Sequence, residues 1–534
     1  MAILLLFQLI STSNLGVSSS NSLNKGERPN IIFFIADDMY PDMFNCLPQG
    51  KGQNLTPNID RLAREGVLLK NQYVASPVCT PSRFNCLTGR YASRATNDEF
   101  INFTKKNDGQ TVIQWNSFVT KKDKIIPHYL KELGYATGMV GKNHVIEVND
   151  LESFKDYWAD PRKSEVMAKV KRNYKKTKNA ILNTGFDYAE SVYYDNPNWI
   201  GLGHLAMQNM EWIASAGVDF IDKYKKQPFF LYFATTIPHG PTQPERSWKA
   251  DPTITANGYI NNIPRVMPDR KTLPKRVKAA GIKGQDKELV LWLDDALGAL
   301  LGKLEEYQLM DNTIIFFFND HGQKAKGHLY QGGIHNPSII WKSNGFKCGH
   351  VSDALVQNID FAPTIVEFAG GGQLEGHFDG QSFKSVLDGQ GAQSREASFF
   401  ELGFARGVIM GDLKYMAIRY PKFANERTPQ ERSAVLEEYN SERIKMKIPT
   451  VNDDPMAKYS HFSIIPGGQH AEHGSYGRTE AYFAPDQLYD LSKDPHETKN
   501  LVKDPEYKSR LEKMKNLLKK HLKQMPGSFG DLKL

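Results

Sequence analysis

Cysteine is scarce in this chain, which has four cysteines among 534 residues. Four are too few for a disulfide scaffold, and none of them has the C-x-x-C spacing of a zinc site. A large excess of one charge is also missing, because 67 lysines and arginines face 60 aspartates and glutamates. The resulting net charge of +7 is too small to indicate nucleic-acid binding, although it suits a polyanionic substrate. The composition also excludes a collagen-like, coiled-coil or wholly disordered chain.

Long hydrophobic runs are absent as well, so we expect no integral membrane segment. The apolar run at residues 2–10 is too short to span a bilayer, and a stretch of small and polar residues follows it up to residue 22. This order is typical of the hydrophobic region and cleavage zone of a secretory signal, although the usual basic residues in front are missing. We expect residues 1–22 to be a signal peptide and N-terminal tail, and the protein to be exported, either periplasmic or secreted.

Apolar, β-prone runs occur four times before residue 320, and each ends in polar residues. The runs lie at residues 30–36, 135–140, 228–235 and 313–318. Runs that are apolar on both faces are typical of parallel strands covered by helices on both sides, and amphipathic helical patterns separate them. The sequence therefore predicts an α/β fold with a large, doubly wound, mainly parallel sheet and helices on both faces.

The polar cluster after each run contains residue types that bind metal ions or transfer protons. These clusters hold Asp37 and Asp38, Lys142 and His144, His239, and Asp320 and His321. Ligands of open α/β sheets bind beyond the carboxyl ends of the strands, so we expect the four clusters to converge on one crevice. Loops are polar in general, which explains any one cluster, but not the shared residue types of all four.

The character of the sequence changes after three consecutive glycines at residues 370–372. Residues 403–420 show the alternation of an antiparallel pair of strands, and residues 504–522 show a basic amphipathic helical pattern. We predict a catalytic domain over residues 23–372. A smaller C-terminal α+β domain with an antiparallel sheet is predicted over residues 373–534.

The most informative motif lies at residues 76–91, SPVCTPSRFNCLTGRY. Pro81 suits the first turn of a helix, because its missing N–H costs nothing there. Cys79 would then lie just before the helix N-terminus, where free N–H groups and the helix dipole attract an anion such as sulfate. Arg83, one turn further on, returns to the same face. These residues alone leave open that Cys79 is an activated thiolate nucleophile.

The blocks Cys79-Thr80-Pro81-Ser82-Arg83 and Leu87-Thr88-Gly89-Arg90 resemble the signature of the formylglycine-dependent (type I) sulfatases, in the alkaline phosphatase superfamily. In that family C-x-P-S-R precedes T-G-R, and the cysteine is oxidised to an aldehyde, formylglycine, during export. The resemblance covers about residues 28–500 and is to the bacterial polysaccharide and arylsulfatase types. It includes a family tail motif at residues 488–501.

One departure from the family pattern concerns residues 327–337, which follow G-x-x-Y-E-G-G-I-R-x-P. Here Gln331 replaces the glutamate and His335 replaces the arginine. We expect these substitutions to alter local structural contacts and not the chemistry.

The resemblance implies a divalent cation held by Asp37, Asp38, Asp320 and His321. Three carboxylates about 4 Å apart repel by roughly 4 kcal/mol per pair at an effective dielectric constant near 20, and a bound cation removes that repulsion. Oxygen-rich ligands favour a hard ion, Ca²⁺ or Mg²⁺, and argue against zinc. The larger and more flexible coordination shell of Ca²⁺, together with the family resemblance, makes Ca²⁺ the expected ion in preference to Mg²⁺. His321 stands where many family members have asparagine and some have histidine.

The resemblance also implies a mechanism in which a maturation enzyme converts Cys79 to formylglycine. One hydroxyl of the hydrated aldehyde, polarised by the metal, attacks sulfur. His239, alone or together with Lys326, protonates the leaving alkoxide, and His144 assists loss of the second hydroxyl's proton, which expels sulfate. The sulfate oxygens are neutralised by Arg83, Lys142 and Lys326.

The predicted substrate is a sulfated carbohydrate, a polysaccharide such as ulvan or carrageenan or its oligosaccharides. Basic tracts at residues 162–178 and 265–278 suit such a polyanion, although the first tract is better explained as a solvated helix face. The predicted sugar contacts are His204, His470, His473 and Arg478.

Two alternatives remain open on the sequence. One is a phosphate or phosphonate monoester hydrolase of the same superfamily, which would share the nucleophile and the metal. The other is a catalytically inactive glycan-binding relative. The complete set of expected catalytic residues argues against the second, because a decayed site should have lost at least one of them.

Overall fold

The computed structural model describes residues 28–532, apart from positions 323, 325, 344, 347, 373–375, 390–394, 446–449, 451–453, 455–480 and 482–483. The predicted signal peptide and three of the predicted sugar contacts (His470, His473 and Arg478) lie outside the described residues. Within the described part, no helix is both long enough and apolar enough to cross a bilayer.

The strands contribute to one large sheet and to three smaller ones. In chain order they are β1 (Asn30–Asp37), β2 (Val67–Leu69), β3 (Gln72–Tyr73), β4 (Ala136–Lys142), β5 (Tyr188–Tyr193), β6 (Phe229–Pro238), β7 (Ile254–Thr255), β8 (Gly258–Tyr259), β9 (Thr313–Asn319), β10 (Ser338–Lys342), β11 (His350–Ser352), β12 (Val356–Gln357), β13 (Ala397–Leu402), β14 (Ala405–Met410), β15 (Leu413–Ile418) and β16 (Asp486–Asp490).

The helices cover both faces of the large sheet and one face of the C-terminal sheet. In chain order they are α1 (Pro57–Glu65), α2 (Cys79–Thr88), α3 (Asp98–Lys106), α4 (Ile126–Glu132), α5 (Ser164–Asn183), α6 (Met210–Tyr224), α7 (Leu273–Ala279), α8 (Lys287–Glu306), α9 (Gln331–Ile334), α10 (Phe361–Phe368), α11 (Lys384–Leu387), α12 (Lys422–Asn425), α13 (Pro429–Lys445) and α14 (Lys508–Leu522).

The large sheet has eight strands in the order β11-β2-β10-β9-β1-β6-β4-β5. The five strands from β9 to β5 run parallel, and β10 joins β9 antiparallel. The four apolar runs of the sequence form the adjacent strands β9, β1, β6 and β4. The predicted α/β fold with a mainly parallel sheet is therefore confirmed.

Strand β1 shows why both faces of this sheet are apolar. Ile31, Phe33 and Ile35 pack into a core shared with residues of α2, α4 and α10. Ile32 and Phe34 point to the opposite face, into a core shared with residues of α1, α6 and α8. All eight residues of β1 are buried, so the polar Asp37 at its end is buried as well.

The C-terminal part contains a four-stranded antiparallel sheet in the order β13-β14-β15-β16. The hairpin formed by β14 and β15 confirms the alternation seen at residues 403–420. Helix α14 packs Leu511, Met514 and Leu518 against this sheet. Glu497, from the C-terminal tail motif, pairs with the buried Lys414 of β15. It also accepts a hydrogen bond from the backbone N–H of Gln331 at 2.6 Å, and so links the C-terminal sheet to helix α9.

Candidate active site

The parallel strands bring the four predicted polar clusters to one edge of the large sheet. Asp37 and Lys142 are the last residues of β1 and β4. Asp320 directly follows β9, and His239 directly follows β6. Because the carboxyl ends of parallel strands lie at the same edge, these side chains converge as the sequence predicted.

Cys79 lies at the centre of this group. Its Sγ is 3.4 Å from His321 Nε2, 3.7 Å from Lys326 Nζ and 3.9 Å from Asp37 Oδ1. The sequence placed residue 79 just before the helix, whereas in the structure Cys79 is the first residue of α2 and Val78 precedes it as the cap. The side chain still faces the catalytic edge from the N-terminal end of the helix.

Asp38 is held in a conformation that residues other than glycine seldom adopt. Its φ is 62°, and its backbone N–H donates to Asp320 Oδ1 at 3.2 Å. The next N–H, that of Met39, donates to Asn319 Oδ1 at 2.8 Å. Such strained positions persist only when their surroundings fix them, and they concentrate at functional sites.

The predicted metal ligands provide a donor set that fits a hard divalent cation. Donor atoms of Asp38, Cys79 and His321 lie within 4.8 Å of one another, and so do those of Asp37, Cys79 and Asp320. Nε2 of His321 is 3.2 Å from Asp38 Oδ1 and 3.7 Å from Asp320 Oδ1. Burial lowers the pKa of His321, which keeps the imidazole neutral as a ligand requires.

Two buried lysines pair with the two aspartates that follow β1. Lys142 Nζ is 2.8 Å from Asp37 Oδ2, and Lys326 Nζ is 2.8 Å and 2.9 Å from the two carboxylate oxygens of Asp38. Burial alone would raise the pKa of each carboxyl group. The neighbouring cations outweigh that effect, holding the pKa of Asp37 well below its usual range and lowering that of Asp38 to about 2.

Arg83, on helix α2, bridges two carboxylates at the ends of neighbouring strands, Asp37 of β1 and Asp320 after β9. One of its terminal nitrogens lies 3.3 Å from Asp37 Oδ1 and 3.1 Å from Asp320 Oδ2, and the side chain is fully buried. With Lys142 and Lys326 it supplies three cations against three carboxylates. The charges of these six side chains therefore cancel one another.

The surroundings of Cys79 do not favour ionisation of its thiol. Burial raises its pKa, although Lys142 and Lys326 oppose that effect. An unmodified Cys79 therefore stays protonated at neutral pH, which disfavours the thiolate nucleophile left open by the sequence.

The two candidate proton-transfer histidines differ in their surroundings. His144 is buried, its φ is 43°, and its backbone N–H donates to the Tyr194 carbonyl at 2.9 Å. Burial, assisted by Lys142, holds the pKa of His144 well below its usual value, so the ring is neutral. The side chain of His239 is 22% exposed, with Nε2 3.4 Å from Asp38 Oδ2, so it lies where a substrate would enter.

Sequence reasoning missed Asp195 and Asn196, which follow the edge strand β5. Asp195 Oδ1 lies 3.1 Å from His144 Nδ1 and 3.8 Å from Lys142 Nζ. In the amide orientation that satisfies its neighbours, Asn196 donates to Asp37 Oδ2 at 2.8 Å and accepts from Lys142 Nζ at 2.8 Å. The available signal was their position directly after a β-prone segment, as for the other four clusters.

His204 is not brought into the catalytic centre. It lies in a short 3-10 turn, Gly203–Leu205, and is exposed. Its ring packs edge-on against Trp158, with the ring centroids 5.5 Å apart. The structure thus places this predicted sugar contact on the surface.

The fold and the site together define an enzyme that acts on anionic esters. The family model described as Sulfatase matches residues 29–371, and the chain belongs to the sulfatase family. It is 25% identical over 509 residues to an ulvan-active sulfatase of Formosa agariphila, covering 95% of this chain and 82% of the relative. It is also 25% identical to an N-acetylglucosamine-6-O-sulfatase of Bacteroides thetaiotaomicron, covering 73% of this chain and 77% of the relative.

The fold is also found in a solved phosphonate monoester hydrolase of Agrobacterium radiobacter. That structure is 15% identical, covers 94% of this chain and 96% of its own, and has a TM-score of 0.56. The predicted family and the predicted enzyme class, a sulfuric ester hydrolase, are confirmed by the family match and by the named relatives. The fold by itself does not separate sulfate from phosphonate esters.

Proposed function

We propose that this enzyme hydrolyses sulfate esters on a sulfated carbohydrate, a polysaccharide such as ulvan or carrageenan or its oligosaccharides. The observation that carries the proposal is the position of Cys79, from the C-T-P-S-R block, among three buried cations and three carboxylates. Two relatives that cover most of the chain are named for ulvan and for a sulfated hexosamine. The pattern of residues 1–22 supports export to the periplasm or the medium.

Two groups complete the proposed site. Formylglycine, made from Cys79 by a formylglycine-generating maturation enzyme, would supply a hydroxyl nucleophile in place of the protonated thiol. A divalent cation, Ca²⁺ in preference to Mg²⁺, would be held by Asp37, Asp38, Asp320 and His321, and would supply the positive charge that polarises an oxygen at residue 79.

The fixed cations bind the sulfate group of the substrate. Arg83, Lys142 and Lys326 are already oriented by ion pairs, so they need little rearrangement when an anionic ester arrives. Lys326 is closest to the reacting position, 3.7 Å from Cys79 Sγ. Loss of one such preoriented donor typically costs about 10²- to 10³-fold in kcat.

The two histidines transfer protons on opposite sides of the reaction. His239 has an acceptor near each ring nitrogen, Asp38 at Nε2 and the Gly240 carbonyl at Nδ1, so it can carry two protons and give one to the leaving alkoxide. His144 is neutral, which suits a base that removes a proton at residue 79. Asp195 Oδ1 lies 3.1 Å from Nδ1 of His144, so its negative charge can stabilise the ring after a proton has been taken up.

The identity of the released anion tests this proposal. The chain is produced together with a formylglycine-generating enzyme and offered ulvan, carrageenan, their oligosaccharides, and phosphate and phosphonate monoesters. Sulfate release is the expected result. Release of phosphate or phosphonate alone would instead establish a phosphate or phosphonate monoester hydrolase, a class of enzyme that shares this fold. Saccharide binding without release of any anion, from protein with a verified aldehyde, would indicate an inactive glycan-binding relative.

Replacing Asp195 with asparagine should lower kcat about 10- to 100-fold and change KM little, because a neutral amide replaces the carboxylate, 3.1 Å from Nδ1, whose charge would stabilise the His144 ring once it has accepted a proton. Steady-state kinetics on the responding sulfate ester check this. Glu190→Gln is the matched control, because Glu190 lies on β5 and pairs with Lys178 at the surface. Equal kcat values for Asp195→Asn and the control would contradict the assigned role.

A double-mutant cycle sharpens this test. If Asp195 acts through His144, adding Asp195→Asn to a His144→Gln enzyme should cost little more, so the two effects on kcat should be far from additive. Additive effects would mean that Asp195 acts instead through its other neighbour, Lys142.

A further inference from the structure

We propose that Trp158, Trp199 and His204, which we call the aromatic rim, bind sugar rings of an anionic oligosaccharide next to the sugar that loses its sulfate. The proposal rests on the proposed function, since it names the part of the molecule that recognises the carbohydrate.

The first argument is exposure. Trp199 is 69% exposed and Trp158 is 64% exposed, and His204 beside Trp158 is exposed too. Two exposed indole rings carried by neighbouring loops offer apolar surface that a ligand can cover. The flat face of an indole ring is apolar and suits the C–H face of a pyranose ring, whose hydroxyl groups stay in water.

The second argument is continuity with the catalytic centre. The N–H of Trp199 donates at 2.9 Å to the carbonyl of Asn196, a residue of that centre. The adjacent Asn198 is fixed by Arg246 at 2.7 Å and lies beside Gly240, the residue after His239. Because His239 is the exposed member of the centre and the proposed acid for the leaving group, a departing sugar lies on the side of Trp199.

The third argument is that the backbone carrying the rim is anchored. A small apolar core, separate from those of the large sheet, lies beneath it and includes Leu202, Leu205 and Ile254. The N–H of Gly203 donates to the Tyr157 carbonyl at 2.7 Å. Any side chain at position 203 would overlap the ring of Trp158. A preformed surface of this kind loses little conformational freedom when a ligand binds.

The fourth argument is charge and space. A cavity of about 430 Å³ next to Trp199 is lined by Phe154, Tyr194 and other residues, and this volume accommodates a sugar ring. On its wall, Glu152 is shared by two cations of α5, Arg172 at 2.8 Å and Lys176 at 3.5 Å. Two cations against one carboxylate leave a positive charge, which attracts a sulfated or uronate-bearing neighbour of the reacting sugar.

Binding measurements on the full chain test the rim without turnover. Protein carrying Cys79→Ala is titrated with short ulvan and carrageenan oligosaccharides, using calorimetry and tryptophan fluorescence. Adding Trp199→Ala should weaken binding about tenfold, and Trp158→Ala should also weaken it, because a stacked aromatic contact is lost. Phe423→Ala is the matched control, since Phe423 is an exposed aromatic on α12 in the C-terminal part.

Kinetics on the matured enzyme give an independent readout. For Trp199→Ala, the ratio of kcat/KM on the responding oligosaccharide to kcat/KM on a small aryl sulfate should fall about tenfold, because only the longer substrate reaches the rim. An unchanged ratio would overturn the proposal. So would equal saccharide affinity in the Trp199→Ala and Phe423→Ala proteins, or no saccharide binding to any of them.

The rim and the proposed function fail in different ways. If the matured enzyme releases sulfate from no ester, the proposed function is wrong, while the titrations still decide whether the rim binds saccharides. If sulfate is released but Trp199→Ala binds and reacts as the parent does, the function holds and the rim is wrong.

Discussion

Replacing Cys79 with alanine should abolish sulfate release, lowering kcat by about 10⁴-fold or more, because it removes the group that carries the nucleophile. The side chain lies within 4 Å of His321, Lys326 and Asp37, at the centre of the site. The fold should survive, because a small, uncharged side chain is exchanged for a smaller one.

Cys86→Ala is the matched control for this experiment. Cys86 is also buried and lies two turns further along the same helix, so its loss tests the general effect of removing a thiol from α2. We expect the control to keep both its activity and the aldehyde at residue 79, detected by mass spectrometry of the peptide that contains it. Full activity in Cys79→Ala, or an active enzyme whose residue 79 is still a thiol, would refute the proposed nucleophile.

The central strands could be predicted because burial on both faces leaves a simple trace in a sequence. Strands β9, β1, β6 and β4 are adjacent and covered on both sides, so their residues are apolar without interruption. The chemistry at their carboxyl ends then follows from a general property of such sheets. This property alone predicts that four side chains lie together: Asp37, Lys142, His239 and Asp320.

Strand β5 was missed for the complementary reason. It lies at the edge of the sheet, and only the first four residues of its sequence, YAESVY, alternate between half-buried and buried, with Glu190 turned toward Lys178 at the surface. A strand without a continuous apolar run gives no clear signal in the sequence, so nothing marked the polar residues that follow it as part of the site. Asp195 and Asn196 were lost from the predicted site for that reason alone.

Other features of the site depend on how loops approach one another in space. The pairing of Lys142 with Asp37 and of Lys326 with Asp38 joins residues more than a hundred positions apart. The positive φ of Asp38 is likewise set by its contact with Asp320 and not by a local glycine signal. Residue types and strand ends indicate which groups gather, whereas their partners require the fold.

Removing the proposed divalent cation should lower sulfate release about 10²- to 10³-fold, because several kcal/mol of charge stabilisation would be lost. Within the centre, Arg83, Lys142 and Lys326 face three carboxylates, and Asp195 lies 3.8 Å from Lys142 as a fourth, so the protein's own groups provide no net positive charge for an anionic ester. Dialysis against a chelator, followed by addition of Ca²⁺ or Mg²⁺, measures this. We expect Ca²⁺ to restore activity more fully than Mg²⁺.

The same treatment should lower Tm, because a ligand that binds only the folded chain stabilises it by about 2.7 kcal/mol at a hundred times its Kd. Asp38→Asn should raise the Ca²⁺ concentration needed for both activity and Tm, since it weakens one donor and the ion pair with Lys326. Asp42→Asn is the control, because Asp42 pairs with Lys324 at the surface. If the chelator changes neither the activity nor the Tm, a removable cation is excluded. If Mg²⁺ restores activity better than Ca²⁺, the bound ion is Mg²⁺ and the proposed ligands stay the same.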